Sequence, residues 1–370
     1  MADYKKQHFV PQFYLKSFSA DGRCVMLYNI ERKYLVEKTA IRSQCYSDYF
    51  YGTDGIEQLL SNLESLAAKM FREVKEVGPV ALMGGQHHIL LPIFVMVLLH
   101  RTLAFQMSLT QMLYGIREDL SEEVLSDAAK RTLDSMPEAI PAQSVIQAVK
   151  LAPYISDLAV TVLHSSDSSA FITSDNPVIM INPFLATERP VGSSTGYFCK
   201  GLVIYVPIAP HTAILFYDSE AYHIPATTNG AALTCTVEDV ETLNQLMYTN
   251  AHQNLYSMGP STLYTNTSEC IRRESFVEVD RSTLIETGSS DELNNMITIS
   301  KVDVRLNRNL SFLIMNEDAR QTMIDNMRNG ARFSFYRDDE RHRKLESALE
   351  EHRHMSFDEY LSLFKTSKVV

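Results

Sequence analysis

No cysteine pair at CxxC spacing occurs in this chain. Its five cysteines (Cys24, Cys45, Cys199, Cys235, Cys270) are scattered and odd in number. That pattern disfavours a disulfide framework or a zinc knuckle, and free thiols in a reducing compartment are the expectation. A membrane-length apolar run is also missing. The longest, Ile89 to Leu99, has 11 residues and contains Pro92; a span needs roughly 20, so it reads as a buried core helix. The start, Met1 to Lys6, lacks a signal-peptide core, so a cytoplasmic protein without a membrane partner is expected. There is no P-loop, no GxGxxG, no HExxH and no GxSxG in strand–turn–helix context. A nucleotide-driven motor, a Rossmann dehydrogenase and an α/β-hydrolase are therefore disfavoured.

What remains is an ordinary globular composition: 370 residues, 45% hydrophobic and 21% charged. A net charge of −11 argues against coating nucleic acid through bulk electrostatics, but 34 Lys and Arg leave room for a local basic cleft. Pro11 opens a short helix to about Phe18, and Cys24–Ile30 with Tyr34–Lys38 reads as a hairpin. From Asp54 the apolar period becomes helical: Ile56, Leu59, Leu60, Leu63, Ala67, Met70, Phe71 and Val74 form one stripe, ended by Gly78-Pro79. A long helix from Gln86 to about Glu118, kinked at Pro92, and helical segments over about Ser121–Ser135 and Ala142–His164, with a break near Pro153, complete an antiparallel bundle.

Short β-type runs follow at Phe171–Thr173, Val178–Ile181, Leu202–Pro207 and Thr212–Tyr217, then a helix from Val237 to Tyr256 capped by Thr236 with Asp239 at N3. Residues 259–295 read as irregular, Met296–Val304 as β-prone and Glu317–Arg328 as helix. The charged tail from Asp338 to Lys365 reads as a solvated helix pair interrupted near Ser356, carrying His352 and His354. The expected fold is α+β: mainly a helical bundle packed on a small, mostly antiparallel sheet, with a charged C-terminal helical appendage. One composite domain over 1–335 holds the motif and hairpin (1–50), bundle (54–164), strand-rich part (169–220) and helix (237–256); residues 336–370 are the appendage.

Four polar constellations stand out. Gln7, His8 and Gln12 sit in an apolar framework, and His8 can act as acid, base or ligand or be held by backbone carbonyls. Glu57 and Glu64, seven residues apart, lie about 20° apart around their helix at the edge of its stripe. Each is a solvated border residue or a partner aimed across the bundle. Arg101, between apolar neighbours, needs a carboxylate or phosphate for its fork, and an intramolecular Arg–Glu pair is the commoner explanation. Thr173-Ser174-Asp175-Asn176-Pro177 is a tight polar turn between strands, where sites are also often built. His87-His88 point about 100° apart and make a poor metal pair.

Together these segments resemble the family called domain of unknown function 4238. The resemblance is carried by Gln7-His8-Phe9-Val10-Pro11 with Tyr14-Leu15 and Phe18, Phe50-Tyr51-Gly52, Ile56-Glu57, Glu64 and Arg101-Thr102. It continues through Phe171 to Val178, Pro207-Ile208-Ala209-Pro210 and Asn244. Members often carry a glutamine three residues before the arginine, where this chain has Leu98. The resemblance implies that His8, Gln12, Glu64, Arg101, Asp175 and Asn176 converge on one pocket between bundle and sheet.

Two readings follow. The first is a hydrolase, nuclease-like, cleaving phosphodiesters of a nucleic acid or nucleotide in a toxin or antiviral role. His8 acts as acid or base, Arg101 holds a phosphate, and Glu64 or Asp175 orients His8 or binds a divalent metal. The second is a non-catalytic ligand-binding, sensor or interaction protein whose polar residues form a closed structural network. In that reading the charged tail mediates homo-oligomerisation or docking.

Overall fold

Pro11 fixes φ at −59° and starts α1 (Gln12–Lys16), which follows the short strand β1 (Lys6–His8). In the computed structural model, residues 5–52, 56–82, 87–119, 127–166, 169–188, 195–225, 232–259, 284–285, 296–297, 309–328 and 336–351 are described. The hairpin forms as expected, from β2 (Cys24–Asn29) and β3 (Tyr34–Ala40), with Lys33 left-handed (φ 52°) at its turn. A 3-10 turn over Ile41–Ser43 leads to β4 (Tyr46–Asp48), which pairs antiparallel with β1 so that His8 faces Tyr46.

The apolar stripe produces α2 (Ile56–Val77), with Ile56, Leu60, Leu63, Ala67, Met70, Phe71 and Val74 buried. Gly78 ends it at φ +81°, a conformation that favours glycine. The apolar run becomes α3 (His87–His100), buried all round from Leu91 onward. The long helix expected over 86–118 does not end at Pro92, which lies inside α3. It breaks instead at Arg101-Thr102, where α4 (Leu103–Asp119) begins at 61° to α3. Thr102 is the cause: its Oγ1 accepts from the Phe105 N–H, an N-cap that starts a new helix.

The next helix, α5 (Asp127–Leu151), is continuous across Pro137 and Pro141 and ends earlier than expected. After the 3-10 turn Ala152–Ile155 the chain turns to strand β5 (Ala159–His164). The β-branched Val160-Thr161-Val162 suits a sheet, and β5 pairs over six residues with β9 (Thr212–Tyr217).

The other strands are β6 (Thr173–Ser174), β7 (Ile179–Ile181), β8 (Val203–Ala209), β10 (Tyr222–His223), β11 (Ala232–Thr234) and β12 (Asn254–Ser257). Pro183–Glu188 forms α6. Helix α7 (Val237–Asn250) carries the Thr236/Asp239 capping box expected from sequence, but it stops at Asn250, before β12. A five-stranded sheet runs β11-β5-β9-β8-β7, antiparallel except between β11 and β5, and a four-stranded sheet runs β3-β2-β12-β6.

Side chains alternate across the five-stranded sheet. Ile204, Val206, Ile214 and Phe216 share a core with α2, α3 and α5. Val203, Tyr205, Ala213 and Leu215 share the second core with Val240, Leu243 and Met247 of α7. The α+β class therefore stands, with the sheets set between helices on both sides rather than one small sheet under a bundle. Of the β-prone stretch at 296–304, only residues 296–297 are described. They pair with Leu284-Ile285.

Glu317–Arg328 is helical as expected. The last described helix, Asp339–Glu351, starts docked rather than solvated. Arg337 grips Asp157 through two bonds (2.9 and 3.0 Å), Arg341 reaches Pro153 O and Ser156 Oγ, and His342 packs against Phe198 and Tyr336. Ser356, His352 and His354 lie outside the described residues. Among the described residues no single helix is long and apolar enough to cross a membrane.

Candidate functional site

The break between α3 and α4 places Arg101 at the buried end of α3, facing α2 and the β1–β4 ribbon. It is 2% exposed, and all three guanidinium nitrogens are engaged. Nη1 donates to Glu64 Oε1 at 2.7 Å, Nε to the Tyr51 hydroxyl at 3.1 Å and Nη2 to the His8 carbonyl. Burial alone disfavours its charge, but Tyr51 and Glu64 outweigh that and hold its pKa above the usual arginine value. The intramolecular Arg–Glu pair is thus what Arg101 makes. Three of its five N–H groups are thereby taken by protein acceptors, and at 2% exposure the side chain faces the interior.

The opening motif is held from several directions. Gln7 is 4% exposed; its amide donates to Gly52 O at 2.9 Å and its carbonyl accepts from the Tyr51 N–H. Tyr51 OH donates to His8 O at 3.3 Å, and burial pushes its pKa up to about 12. Tyr14 OH donates to Pro207 O and accepts from Thr173 Oγ1 at 2.8 Å, joining three of the quoted motifs in one contact.

The His8 ring is half-buried. Its Nε2 faces Arg42 O at 3.4 Å; a carbonyl only accepts, so Nε2 carries the proton and Nδ1 keeps a lone pair. Burial lowers the His8 pKa, with Arg101 and Lys6 acting in the same direction against Glu64 and the Arg42 carbonyl. The opposite shift occurs at Glu57, whose pKa is raised by burial first and by Glu64 next, against Arg101. Its Oε1 is buried without a hydrogen-bond partner.

Asp175 and Asn176 form a second network. Asp175 accepts the N–H groups of His252, Gln253 and Asn254 at 2.8–3.0 Å. Burial still raises its pKa despite those three donors. Asn176 donates to Asn250 O and accepts from Thr102 Oγ1 at 3.1 Å, while Asn250 returns bonds to Asn176 O and Val178 O. Asn244 spans Ala170 O and Ile172 N beside it. The turn therefore fastens the end of α7 to β12.

His8 and Glu64 thus both bond to Arg101, and the turn of Asp175 and Asn176 is tied to this group through the Arg101-Thr102 junction and the Tyr14–Thr173 bond. Gln12, half-buried on α1, bonds to neither group. Tyr51, Thr102 and Asn250 belong to the networks although their residue types alone did not mark them; for the first two the Phe50-Tyr51-Gly52 and Arg101-Thr102 motifs were the available signal. A separate, mostly apolar cleft of about 150 Å³ lies between α3 and the Pro153–Leu158 turn, lined by His88, Pro92, Ile155 and Phe216 among others. Among the described residues no group of three or more His, Cys, Asp or Glu is placed to hold a metal ion.

Fold and site together define an α+β protein whose N-terminal motif is locked to a buried arginine–glutamate pair at a helix break. The chain belongs to the DUF4238 family, described as proteins of unknown function, whose profile matches residues 6–261. No curated protein and no solved structure matches it.

Proposed function

We propose that this chain is a hydrolase of phosphodiesters, an effector whose acid–base centre is His8 with Glu57 and Glu64 around Arg101. The observation that carries the reading is unused hydrogen-bonding capacity at two groups that share Arg101 and Glu64 as charged neighbours: His8, bonded only through Nε2, is pushed by burial toward the neutral base, and Glu57, with a buried unpartnered Oε1, toward the protonated acid. In this reading His8 Nδ1 takes a proton from water as its oxygen bonds to phosphorus. The P–O ester bond breaks, and the leaving oxygen receives a proton from Glu57. Glu64 stabilises the imidazolium that forms, and Arg101 acts as a positioning residue through the His8 carbonyl and Glu64. Asp175, Asn176 and Gln12 are then structural members of the surrounding framework.

A second reading has its own support. Arg101 and Asp175 are completed by protein groups, as in a binding or sensor protein with a closed polar network. The charged tail from 336 onward, docked at its start, then offers a surface for oligomerisation. The experiment that separates the two is cleavage of a mixed RNA, DNA and nucleotide panel by wild type and His8→Ala, with and without Mg²⁺ or Mn²⁺. Cleavage by wild type that folded His8→Ala abolishes supports the hydrolase; absence of cleavage across the panel supports the binding protein.

A further inference from the structure

With Arg101 closed, an incoming phosphodiester finds its cations on the rim of the site instead. Lys6, exposed on β1, lies 4.6 Å from the centroid of the Tyr46 ring, and that ring lies 5.7 Å from the His8 ring. Arg42, also exposed, supplies the carbonyl that holds His8 Nε2. Among the described residues neither Lys6 nor Arg42 forms an ion pair, whereas neighbouring Lys5 is paired with Asp48 at 3.3 Å. Tyr49, left-handed at φ 54° and 43% exposed, stands just beyond β4. The charge is also uneven along the chain: eight Lys and Arg face five Asp and Glu in the first 50 residues, a net +3 in a chain of −11.

We propose that the face formed by Lys6, Arg42, Tyr46 and Tyr49 is the docking surface for a single-stranded nucleic acid, led past His8. This rests on the phosphodiester reading above and names its substrate class. Two free cations are too few to retain a duplex on charge alone, because each phosphate contact adds only a modest, salt-sensitive increment. The exposed Tyr49 ring, with the half-buried Tyr46 behind Lys6, adds stacking, which requires base faces that a duplex hides and a single strand presents. The strongly acidic remainder of the chain repels the strand elsewhere and confines it to this ribbon.

The test is fluorescence anisotropy with fluorescein-labelled single-stranded RNA, single-stranded DNA and a matched duplex, between low and physiological salt. Lys6→Glu/Arg42→Glu is expected to weaken single-strand binding by roughly tenfold or more, and the milder Lys6→Gln/Arg42→Gln to lower the log–log salt slope by about 1.4. Tyr49→Ser is expected to weaken binding with that slope unchanged. Lys69→Glu, exposed on α2 and paired with Glu73, serves as the control and binds as wild type. Tighter duplex binding, no single-strand binding at low salt, or equal binding by both double variants and wild type overturns the proposal. Binding without any cleavage supports the face while refuting the hydrolase; cleavage unaffected by the double variants refutes the face and leaves the hydrolase standing.

Discussion

Replacing Arg101 by methionine keeps most of the side-chain length in the buried slot and removes three donors at once. The consequences differ by partner. The His8 carbonyl retains the Tyr51 hydroxyl as a donor, and Tyr51 loses only an accepted bond. Glu64 loses its cation, but its side chain is 25% exposed and can hydrate in part. Breaking a buried ion pair typically costs about 3–5 kcal/mol, and that partial hydration puts this one near the lower end, about 3 kcal/mol. Glu57 adds to the loss, since Arg101 also offsets its repulsion from Glu64. Removing both charges in Arg101→Met/Glu64→Met leaves no stranded ion, so the double variant should be less destabilised than the two singles combined, by about 1–3 kcal/mol. The chain contains no tryptophan, so urea unfolding is followed by far-UV circular dichroism and tyrosine fluorescence, with coincident transitions as the check. Single effects that add to within about 0.5 kcal/mol would refute the claim that the two residues act as a unit.

The remaining predictions concern pH and the helix break. Because burial lowers the folded-state pKa of His8, the unfolded chain binds the extra proton. Stability from this residue is therefore fully present above the unfolded value of 6.5 and declines as pH falls toward the folded pKa. His8→Gln should flatten that acid-side slope, and an unchanged slope in urea titrations at several pH values would count against it. Glu57 has the opposite sign: its raised pKa favours the protonated folded form, so its charge weakens the fold at pH above that value and the penalty fades as pH falls. Glu57→Gln should leave wild-type stability unchanged at acid pH and increase it at neutral pH, while lowering any hydrolytic turnover; calorimetry showing a neutral-pH loss would contradict this. Thr102→Val removes the N-cap on Phe105 and the bond to Asn176 at nearly constant volume, and should cost about 1–3 kcal/mol, with Thr102→Ser much closer to wild type. Equal stability of the valine and serine variants by urea titration would dismiss the cap as the cause of the break.

Where an element carries a one-sided stripe or a short apolar run bounded by turn residues, local pattern located it. The α2 stripe, the hairpin, the short strands from 171 to 217 and the Thr236 cap were legible for that reason. The misplaced features share a different character. Pro92 looks like the break because its missing N–H is a local signal, yet α3 continues through it and is buried from Leu91 onward. The bend at Thr102 depends on a hydroxyl shared among Leu99 O, Phe105 N and Asn176, and Asn176 is 74 residues away. Ala159–His164 reads in sequence as the end of a helix over 142–164, whereas its pairing with β9 makes it strand.

The candidate site divides along the same line. Residue types and spacing pointed to His8, Glu64 and Arg101 because a fork among apolar neighbours demands a partner, and the helix edge supplied one. Asp175 and Asn176 looked equally chemical, yet their side chains are consumed by backbone groups at 250–254. A carboxylate fully occupied by three N–H donors fixes a chain crossing and has little capacity left for a substrate. The half-buried His8 imidazole with its vacant Nδ1, and separately the unpartnered Glu57 oxygen, retain that capacity. The difference between the two networks is therefore one of unused hydrogen-bonding capacity, and it is the reason the chemistry is assigned to the ribbon side of Arg101 and not to the turn.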